Sequence, residues 1–355
     1  MKKERITLYG YFGHNNIGDD MMLVEFLNYM RKEKKEIDFF LLTSSFYKTL
    51  ESHKNVKQIK LSKYNLFRIF IAILESDKVL WLGGSCFYDT GGLKGLKQIL
   101  RIQLISKLTL TKFSFLGVGI GKIETPQGHY LIKKIMLQSD KIIFRDPESF
   151  KVAKKMNPDC EQKFYYGSEL AFLNCNKTIP VRNKKLKSIG FTGVYNLDKR
   201  LVDFYSSTLL ELIKTHGLYI KFLPAHSGTK NDNIFHSKVA KELPKNSYEI
   251  VDINGLNQYI QSLKTVDFHI GFRLHSIVLS DIYRIPNVAV NYAPKVRYYV
   301  EGFSNQNQRL IELEENFDFK KLTDIYDSYQ IKETDFDKIK ESAIKGCNKL
   351  FDEIH

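Results

Sequence analysis

Two charged side chains lie together where an apolar segment gives way to a helix. Arg273 and His275 follow the apolar segment 266–270 and Gly271, and a helical apolar pattern begins at Leu274. Backbone N–H groups are free at a helix N-terminus, and the helix dipole favours an anion there. The spacing therefore predicts an anion-binding site at the start of this helix.

Two more cations follow predicted strands in the same way. Lys295 comes after the apolar segment 287–291, and Arg145 comes after the segment 141–144. Ligands of an open α/β sheet collect at the carboxyl ends of its strands, so we expect Arg273, His275 and Lys295 to point into one cleft. For any one of them, a surface ion pair or a packed histidine is the alternative; for Arg145 that pair would use Asp146 or Glu148, beside Pro147 in the first turn of the next helix.

Guanidinium forks bind carboxylate and phosphate groups in two-pronged fashion, and an imidazole can carry a proton near neutral pH. The residue types therefore suit an anionic substrate whose reaction needs an acid or a base. No cluster of carboxylates and no pair of histidines has the spacing of metal ligands, so we expect no metal.

Several turns after predicted strands are rich in glycine, which lets backbone approach a ligand closely. The segment 10–20, GYFGHNNIGDD, is neither a P-loop nor a GxGxxG motif, and a turn with an Asp N-cap explains it equally well. The candidates for substrate contact are Asn16, Asp19, Gly83, Gly84, Gly119, His226 and Lys295.

Strand and helix patterns alternate along most of the 355 residues, which predicts doubly wound α/β structure in two domains. We expect an N-terminal domain over residues 1–178, a C-terminal domain over 186–330 that carries the Arg/His site, and a charged helical tail over 331–355. The polar, proline-bearing segment 176–187 is the expected linker.

The composition limits the partners. Lys and Arg outnumber Asp and Glu by 54 to 40, giving a net charge of +14. Phosphorylated small molecules, anionic membranes and nucleic acids all suit such a charge, but no nucleic-acid motif appears. The helix 93–108 places leucines on one face, for which core packing is favoured over membrane contact: Leu93, Leu96, Leu100, Leu104 and Leu108.

Four cysteines without metal-type spacing indicate reduced thiols, and neither a signal peptide nor a membrane-spanning apolar run is expected. These features predict a cytoplasmic protein, or one that is peripheral on the inner face of the cytoplasmic membrane.

With these motifs in view, the chain resembles the polysaccharide pyruvyl transferase family over nearly its whole length. The motifs that carry the resemblance are GYFGHNNIGDD (10–20), GGSCFYD (83–89), GVGIG (117–121), FRDPES (144–149), PAHSG (224–228) and GFRLHSIVLSDIYRIP (271–286). Two positions depart from the family pattern. Ser168-Glu169 replaces an Asp-containing segment, which affects a hinge or a polar contact, and Ser85 replaces a glycine, which we expect to matter little.

The resemblance implies a GT-B-type protein whose two Rossmann-like domains face a cleft, with the N-terminal domain on the acceptor side. It also implies transfer of pyruvate from phosphoenolpyruvate onto two hydroxyls of a sugar as a cyclic ketal, without a further cofactor. The acceptor would be a cell-surface polysaccharide or its lipid-linked precursor, with peripheral membrane contact in the latter case. Arg145, Arg273 and His275 match the family's catalytic Arg, Arg and His.

Two other functions remain open on the sequence: a GT-B glycosyltransferase that uses a nucleotide sugar, and a glycan-binding protein without catalysis. Fold alone does not separate these from a pyruvyl transferase.

Overall fold

The computed structural model describes residues 3–33, 36–47, 50, 53–175, 185–304 and 306–351. The described chain divides into two compact units. The N-terminal unit comprises Met1–Gly13, Met21–Asn174 and Asp337–His355, and the C-terminal unit comprises His14–Asp20 and Cys175–Phe336. Most of the predicted linker, residues 176–184, lies outside the described residues.

A parallel sheet forms the centre of the N-terminal unit, with strand order β3-β2-β1-β4-β6-β7-β8 and β5 paired to β6. Its strands are β1 (Glu4–Tyr9), β2 (Ile37–Thr43), β3 (Val56–Lys60), β4 (Lys78–Leu82), β5 (Ser85–Phe87), β6 (Lys112–Ile120), β7 (Ile142–Phe144) and β8 (Phe164–Tyr166). The helices between them are α1 (Ile17–Glu33), α2 (Leu66–Leu74), α3 (Lys94–Leu108), α4 (Pro126–Gln138) and α5 (Pro147–Met156).

Local sequence fixes where two of these helices begin. The Thr125 side chain accepts a hydrogen bond from the Gly128 N–H (2.9 Å), and Asp146 does the same for Ser149 (2.7 Å). Each cap precedes a proline at the first helical position, where the missing N–H costs nothing. The prediction that Pro147 lies in the first turn of a helix is confirmed.

The prediction for the leucines of α3 was wrong in part. Leu96 is buried, but Leu104 and Leu108 are 57% and 70% exposed. The side of α3 that packs into the core carries Leu96, Ile99 and Ile102 instead. Each residue advances about 100° around the helix, so leucines spaced four residues apart drift about 40° with every step. Leu104 and Leu108 therefore leave the side that faces the core.

The C-terminal unit contains a second parallel sheet, with strand order β11-β10-β9-β12-β13-β14. Its strands are β9 (Ser188–Thr192), β10 (Tyr219–Phe222), β11 (Tyr248–Ile250), β12 (Phe268–Gly271), β13 (Asn287–Asn291) and β14 (Leu310–Glu312). The helices that follow β9 are α6 (Lys199–His216), α7 (Asn233–Ala240), α8 (Leu256–Leu263), α9 (Leu274–Ile282), α10 (Pro294–Glu301) and α11 (Phe319–Ser328). The last helix, α12 (Glu333–Lys349), belongs to the N-terminal unit from Asp337 onward.

Aromatic rings fill the core of this unit. Phe191 on β9 packs against Tyr205, Phe222 and Phe272, with ring centroids 5.6 to 5.7 Å apart. Strand β14 completes this sheet, and Ile311 is buried beside Val290 of β13.

Both sheets are wound in two directions from their first strand. The order reverses between β1 and β4 in the first sheet and between β9 and β12 in the second. Ligands of such sheets bind beyond the carboxyl ends of the strands at this reversal. Arg273 follows β12, so the fold places it at the reversal of the second sheet.

Candidate active site

Arg273 is held by a buried carboxylate at the carboxyl end of β12. Its Nη2 and Nε donate to the two carboxylate oxygens of Asp232, at 2.6 and 3.3 Å. Asp232 is fully buried and also accepts the backbone N–H groups of Tyr195 and His226, at 3.2 and 2.9 Å. The Arg273 side chain remains 21% exposed. The guanidinium is thus fixed from one side and open on the other.

The charges in this pair stabilise one another. Burial lowers the pKa of Arg273, but the charge of Asp232 and its hydrogen bonds raise it above the ordinary value. Burial raises the pKa of Asp232, although Arg273 and the two backbone donors oppose that rise. Since Arg273 stays protonated, its open side presents a guanidinium group to a ligand.

Tyr292 and Lys295 extend this charged group. The Lys295 ammonium lies 5.6 Å from the centroid of the Tyr292 ring. Burial raises the pKa of Tyr292, but the positive charges of Lys295 and Arg273 and a hydrogen bond from Lys295 bring it below the ordinary value. The carboxyl end of β13 therefore adds a phenol with acidic character and a second cation.

His275 is the second residue of α9 and packs against the backbone of Gly18. A Cβ on Gly18 would lie 1.9 Å from the imidazole Nδ1. Only glycine allows this approach, because any side chain would have to displace the ring. Gly18 of the glycine-rich segment thus leaves the space that the His275 ring occupies.

The same glycine-rich segment pairs with the loop after β10. Ile17 N–H donates to the Ala225 carbonyl and Ser227 N–H to the Asn15 carbonyl, both at 3.0 Å, around an antiparallel bridge between Asn16 and His226. Two motifs that lie about 200 residues apart in sequence therefore form one surface of the C-terminal unit.

His226 is a neutral, oriented histidine. Burial and the positive charges of Arg273 and Lys230 lower its pKa to about 4, with a smaller contribution from His14. The Gly228 N–H donates to Nδ1 at 3.2 Å, so the proton of the neutral ring lies on Nε2. His226 thus offers an N–H donor rather than a cation.

Two fully buried histidines hold the loops that carry the site residues. His269 contacts the Thr192 and Ser280 hydroxyls at 3.0 and 2.9 Å, and burial lowers its pKa to about 3. His236 accepts the Gly193 N–H at 2.9 Å, and its pKa is also lowered to about 3, by burial first and by Arg273 second. These histidines are packed polar groups that fix the loops after β9 and β12.

Arg145 forms a separate group in the N-terminal unit, at the carboxyl end of β7. Its Nη1 lies 3.4 Å from Glu169, and its Nη2 donates to the Ser85 hydroxyl at 2.9 Å. Both charged side chains are nearly buried. Arg145 is therefore paired with Glu169 in the interior and not, as in the alternative, with Asp146 or Glu148 at the surface.

Three glycines shape the surroundings of Arg145. Gly119 N–H donates to the Gly84 carbonyl at 3.0 Å, and a Cβ on Gly119 would lie 3.2 Å from Arg145 Nε. Gly83 and Gly84 have φ of 70° and 76°, which side-chain-bearing residues rarely adopt. The predicted glycines and Arg145 thus belong to one cluster.

The predicted site residues fall into two groups, one in each unit. The C-terminal group contains Asn16, Asp19, His226, Arg273, His275 and Lys295, and the N-terminal group contains Gly83, Gly84, Gly119 and Arg145. Within the first group, Asp19 is buried in the first turn of α1, and the Asn16 side chain accepts the Gly18 N–H at 3.2 Å. That Arg145 acts together with Arg273 and His275, as the family resemblance implies, stays a prediction.

Sequence reasoning gave too little weight to four residues. Asp232 follows the PAHSG motif, Tyr292 follows a predicted strand, Glu169 lies in the segment that departs from the family pattern, and Ser85 replaces a glycine. Each contacts one of the predicted arginines. Position next to a strand end was the available signal for Tyr292; nothing local marked Asp232 as the partner of Arg273.

The sequence profile of the polysaccharide pyruvyl transferase family matches residues 16–294, most of the chain. The chain therefore belongs to this family of transferases, as the motifs indicated. No curated protein sequence gives a significant match.

Solved structures similar to this chain include UDP-GlcNAc 2-epimerases and a glycosyltransferase. The chain is similar to the UDP-GlcNAc 2-epimerase of Methanocaldococcus jannaschii, with a TM-score of 0.62, 12% identity and coverage of 99% of both chains. The Neisseria meningitidis UDP-GlcNAc 2-epimerase bound to UDP-GlcNAc gives a TM-score of 0.62 at 11% identity, covering 98% of this chain and 100% of that one. A Rickettsia africae glycosyltransferase gives 0.57 at 15% identity, covering 98% and 93%. The fold is GT-B, as predicted.

No helix in the described part of the chain is long and apolar enough to cross a bilayer.

Proposed function

We propose that this protein transfers the pyruvyl group of phosphoenolpyruvate to one sugar of a cell-surface polysaccharide or of its lipid-linked precursor, forming a cyclic ketal. One observation carries the proposal beyond family membership. Arg273 is fixed by Asp232 and stays partly open, next to Tyr292 and Lys295, at the reversal of the second sheet. A small dianion with a carboxylate and a phosphate needs such fixed cations.

The reaction needs two proton movements and one leaving group. Both sugar hydroxyls add to the substituted carbon of the enol, which breaks its bond to the phosphate oxygen. One proton goes to the methylene carbon, which becomes the methyl group, and the other leaves with inorganic phosphate. No redox change occurs, and no cofactor is consumed.

The residues of the C-terminal unit suit these steps. Arg273 and Lys295 bind the donor anion and stabilise the charge of the leaving phosphate. His275, at the start of α9, acts as the acid–base group for the methylene carbon. Tyr292, whose pKa is held below the ordinary value by Lys295 and Arg273, adds a phenol beside these two cations.

The remaining predicted residues are assigned to binding. Arg145, oriented by Glu169 and Ser85, is the second arginine of the reaction. The N-terminal unit provides the acceptor side with Gly83, Gly84 and Gly119, whose backbones permit a close approach. Asn16, Asp19 and the Nε2–H of His226 offer polar contacts. Since phosphoenolpyruvate is a cytoplasmic metabolite, we place the reaction in the cytoplasm or at the inner membrane face.

The test is direct incubation of the purified protein with phosphoenolpyruvate and candidate glycan acceptors. We expect release of inorganic phosphate together with an acceptor heavier by pyruvate less one water. Nucleotide sugars are run in parallel. Sugar transfer from a nucleotide donor without use of phosphoenolpyruvate would replace the proposal by the glycosyltransferase alternative, and acceptor binding without turnover of either donor would favour a glycan-binding protein.

A further inference from the structure

A surface with exposed leucines and many cations lies on the N-terminal unit, outside both groups of site residues. It is formed by the end of α3, the turn after it, and the end of α4. We call it the α3–α4 surface, and its residues are Arg101, Leu104, Lys107, Leu108, Leu110, Lys112, Lys134 and Leu137. A shallow groove of about 680 Å³ runs through it.

The apolar residues of this surface are highly exposed. Leu104, Leu108 and Leu110 are 57%, 70% and 93% exposed, and Leu137 is 56% exposed. Single exposed leucines are common on proteins, but Leu104 and Leu110 line the same groove, and exposed apolar side chains grouped in this way mark an interaction surface.

Packing within the protein does not explain why a leucine occupies position 110. Its φ is 57°, in the left-handed region that glycine or asparagine adopts after a helix end. It therefore carries backbone strain while its side chain makes almost no packing contact. A glycine here would satisfy the fold better, so the leucine points to a contact outside the chain.

The charge around these leucines is predominantly positive. No acidic residue occurs between Asp89 and Glu124, whereas six Lys or Arg residues do. On α3, Arg101 and Lys107 are exposed beside Leu104 and Leu108. Asp140 is the acidic residue among those that line the groove. The partner must therefore be anionic and able to take up apolar side chains.

We propose that the α3–α4 surface binds an anionic lipid bilayer. The leucines enter the region between headgroups and acyl chains, and the basic side chains contact the negatively charged headgroups, as in helices that lie on membranes. The mixture of exposed leucines and many cations, with Asp140 the single acidic residue that lines the groove, fits a lipid surface better than a protein, whose interfaces need complementary polar partners.

The test is co-sedimentation of the full-length protein with vesicles of phosphatidylcholine alone or with phosphatidylglycerol added. We expect binding only to the anionic vesicles, weakened by salt. Arg101→Gln with Lys107→Gln should lower the affinity about 25-fold, at about fivefold for each basic residue. Lys241→Gln with Lys245→Gln, two exposed lysines of the C-terminal unit, is the charge-matched control and should bind normally.

A second double variant tests the exposed leucines of the α3–α4 surface. Leu104→Ser with Leu110→Gly should reduce vesicle affinity at least about tenfold. Leu110→Gly relieves the strained backbone, so thermal stability should not fall because of it. Phe46→Ser, at a residue 63% exposed in the same unit, is the apolar control and should leave vesicle binding unchanged.

Three results would overturn the proposal. The parent protein could bind neutral and anionic vesicles equally, or both α3–α4 variants could bind anionic vesicles as tightly as the parent protein. In the third, the variants lose binding to a soluble polyanion but keep their binding to vesicles. The last would identify an anionic polymer as the partner. Pyruvyl transfer to a soluble acceptor should be unchanged in all these variants, so this inference and the proposed function fail separately.

Discussion

Two Arg–Asp pairs lie at opposite ends of α9, and they differ in how completely they are enclosed. Arg273–Asp232 is at its start, where Arg273 is 21% exposed. Asp281, in the last turn, pairs with Arg309, and both are fully buried. The chemistry of the two pairs is the same, so their surroundings decide what each can do.

Hydrogen bonds from neighbouring side chains enclose the Asp281–Arg309 pair. Arg309 Nη1 and Nη2 each donate to Asp281 at 2.9 Å, and Tyr299 and Tyr329 donate at 2.9 and 2.7 Å. Asn287 bridges the two charges, donating to Asp281 and accepting from Arg309 at 2.7 Å each.

This closed cluster lies near the amino ends of β13 and β14, away from where ligands of such sheets bind. It ties α9, α10 and both strands together, which makes it structural. Arg273, by contrast, has its carboxylate on one side and remains partly open beside Lys295 at the carboxyl end, which makes it suited to a ligand.

The largest expected effect comes from His275 at the open end. His275→Ala should lower turnover about 10²–10⁴-fold, since general acid–base groups contribute that much. Phosphoenolpyruvate binding should weaken far less, because it rests on the arginines. Steady-state kinetics with a direct binding titration checks this, and His129→Ala, at an exposed histidine of α4, is the control.

A folded His275→Ala variant is required, so its thermal unfolding must match the parent protein. Normal pyruvate transfer by this variant would make His275 a packing residue, and the acid would then be sought at His226 or His14.

Arg309→Ala should act on stability alone. It leaves Asp281 buried without its counter-ion, which typically costs about 3–5 kcal/mol of unfolding free energy. Urea unfolding measures the loss, and Arg297→Ala, which removes an exposed ion pair with Glu312, should cost less than about 1 kcal/mol. Loss of turnover in the folded fraction of Arg309→Ala would contradict a purely structural role for the Arg309–Asp281 pair.

Arg273→Lys should lower kcat/KM for phosphoenolpyruvate about 10²–10³-fold, nearly as much as Arg273→Ala. Lysine keeps the charge but cannot hold Asp232 and a substrate oxygen with a planar fork. Arg200→Lys, at an arginine whose side chain is 72% exposed, is the matched control. Near-normal kinetics of Arg273→Lys would rule out the two-pronged contact.

Gly18→Ala should reduce turnover by about 10²-fold by moving the His275 ring, because small displacements of a catalytic group have effects of that size. In the His275→Ala background the same change should have little further effect. Gly95→Ala is the control, since a Cβ there meets no atom within 4 Å. Equal losses from Gly18→Ala in both backgrounds would mean that the glycine acts independently of His275.

Local sequence determined most of the secondary structure. The predicted bounds of β13 (Asn287–Asn291) are those of the structure, and α9 begins at Leu274 as its pattern indicated. Periodicity, prolines and caps act over a few residues, so they can be read without the fold. The position of Arg273 and His275 at a helix start belongs to the same class of information.

The partners of these residues were decided by tertiary structure. Asp232 reaches Arg273 across 41 residues because β10 and β12 both flank β9. His275 meets Gly18 although the two are more than 250 residues apart. Such contacts depend on strand order and on packing, which no local pattern encodes.

The same limit explains α3. Its sequence shows a leucine repeat, but which leucines are buried depends on how the helix is rotated against the sheet and α4, so Leu104 and Leu108 are left exposed. The sequence by itself thus determined the elements, the family and the residue types of the site. The tertiary structure alone decided which carboxylate holds each arginine and which apolar side chains face outward, because ion pairing and burial are set by neighbours distant in the chain.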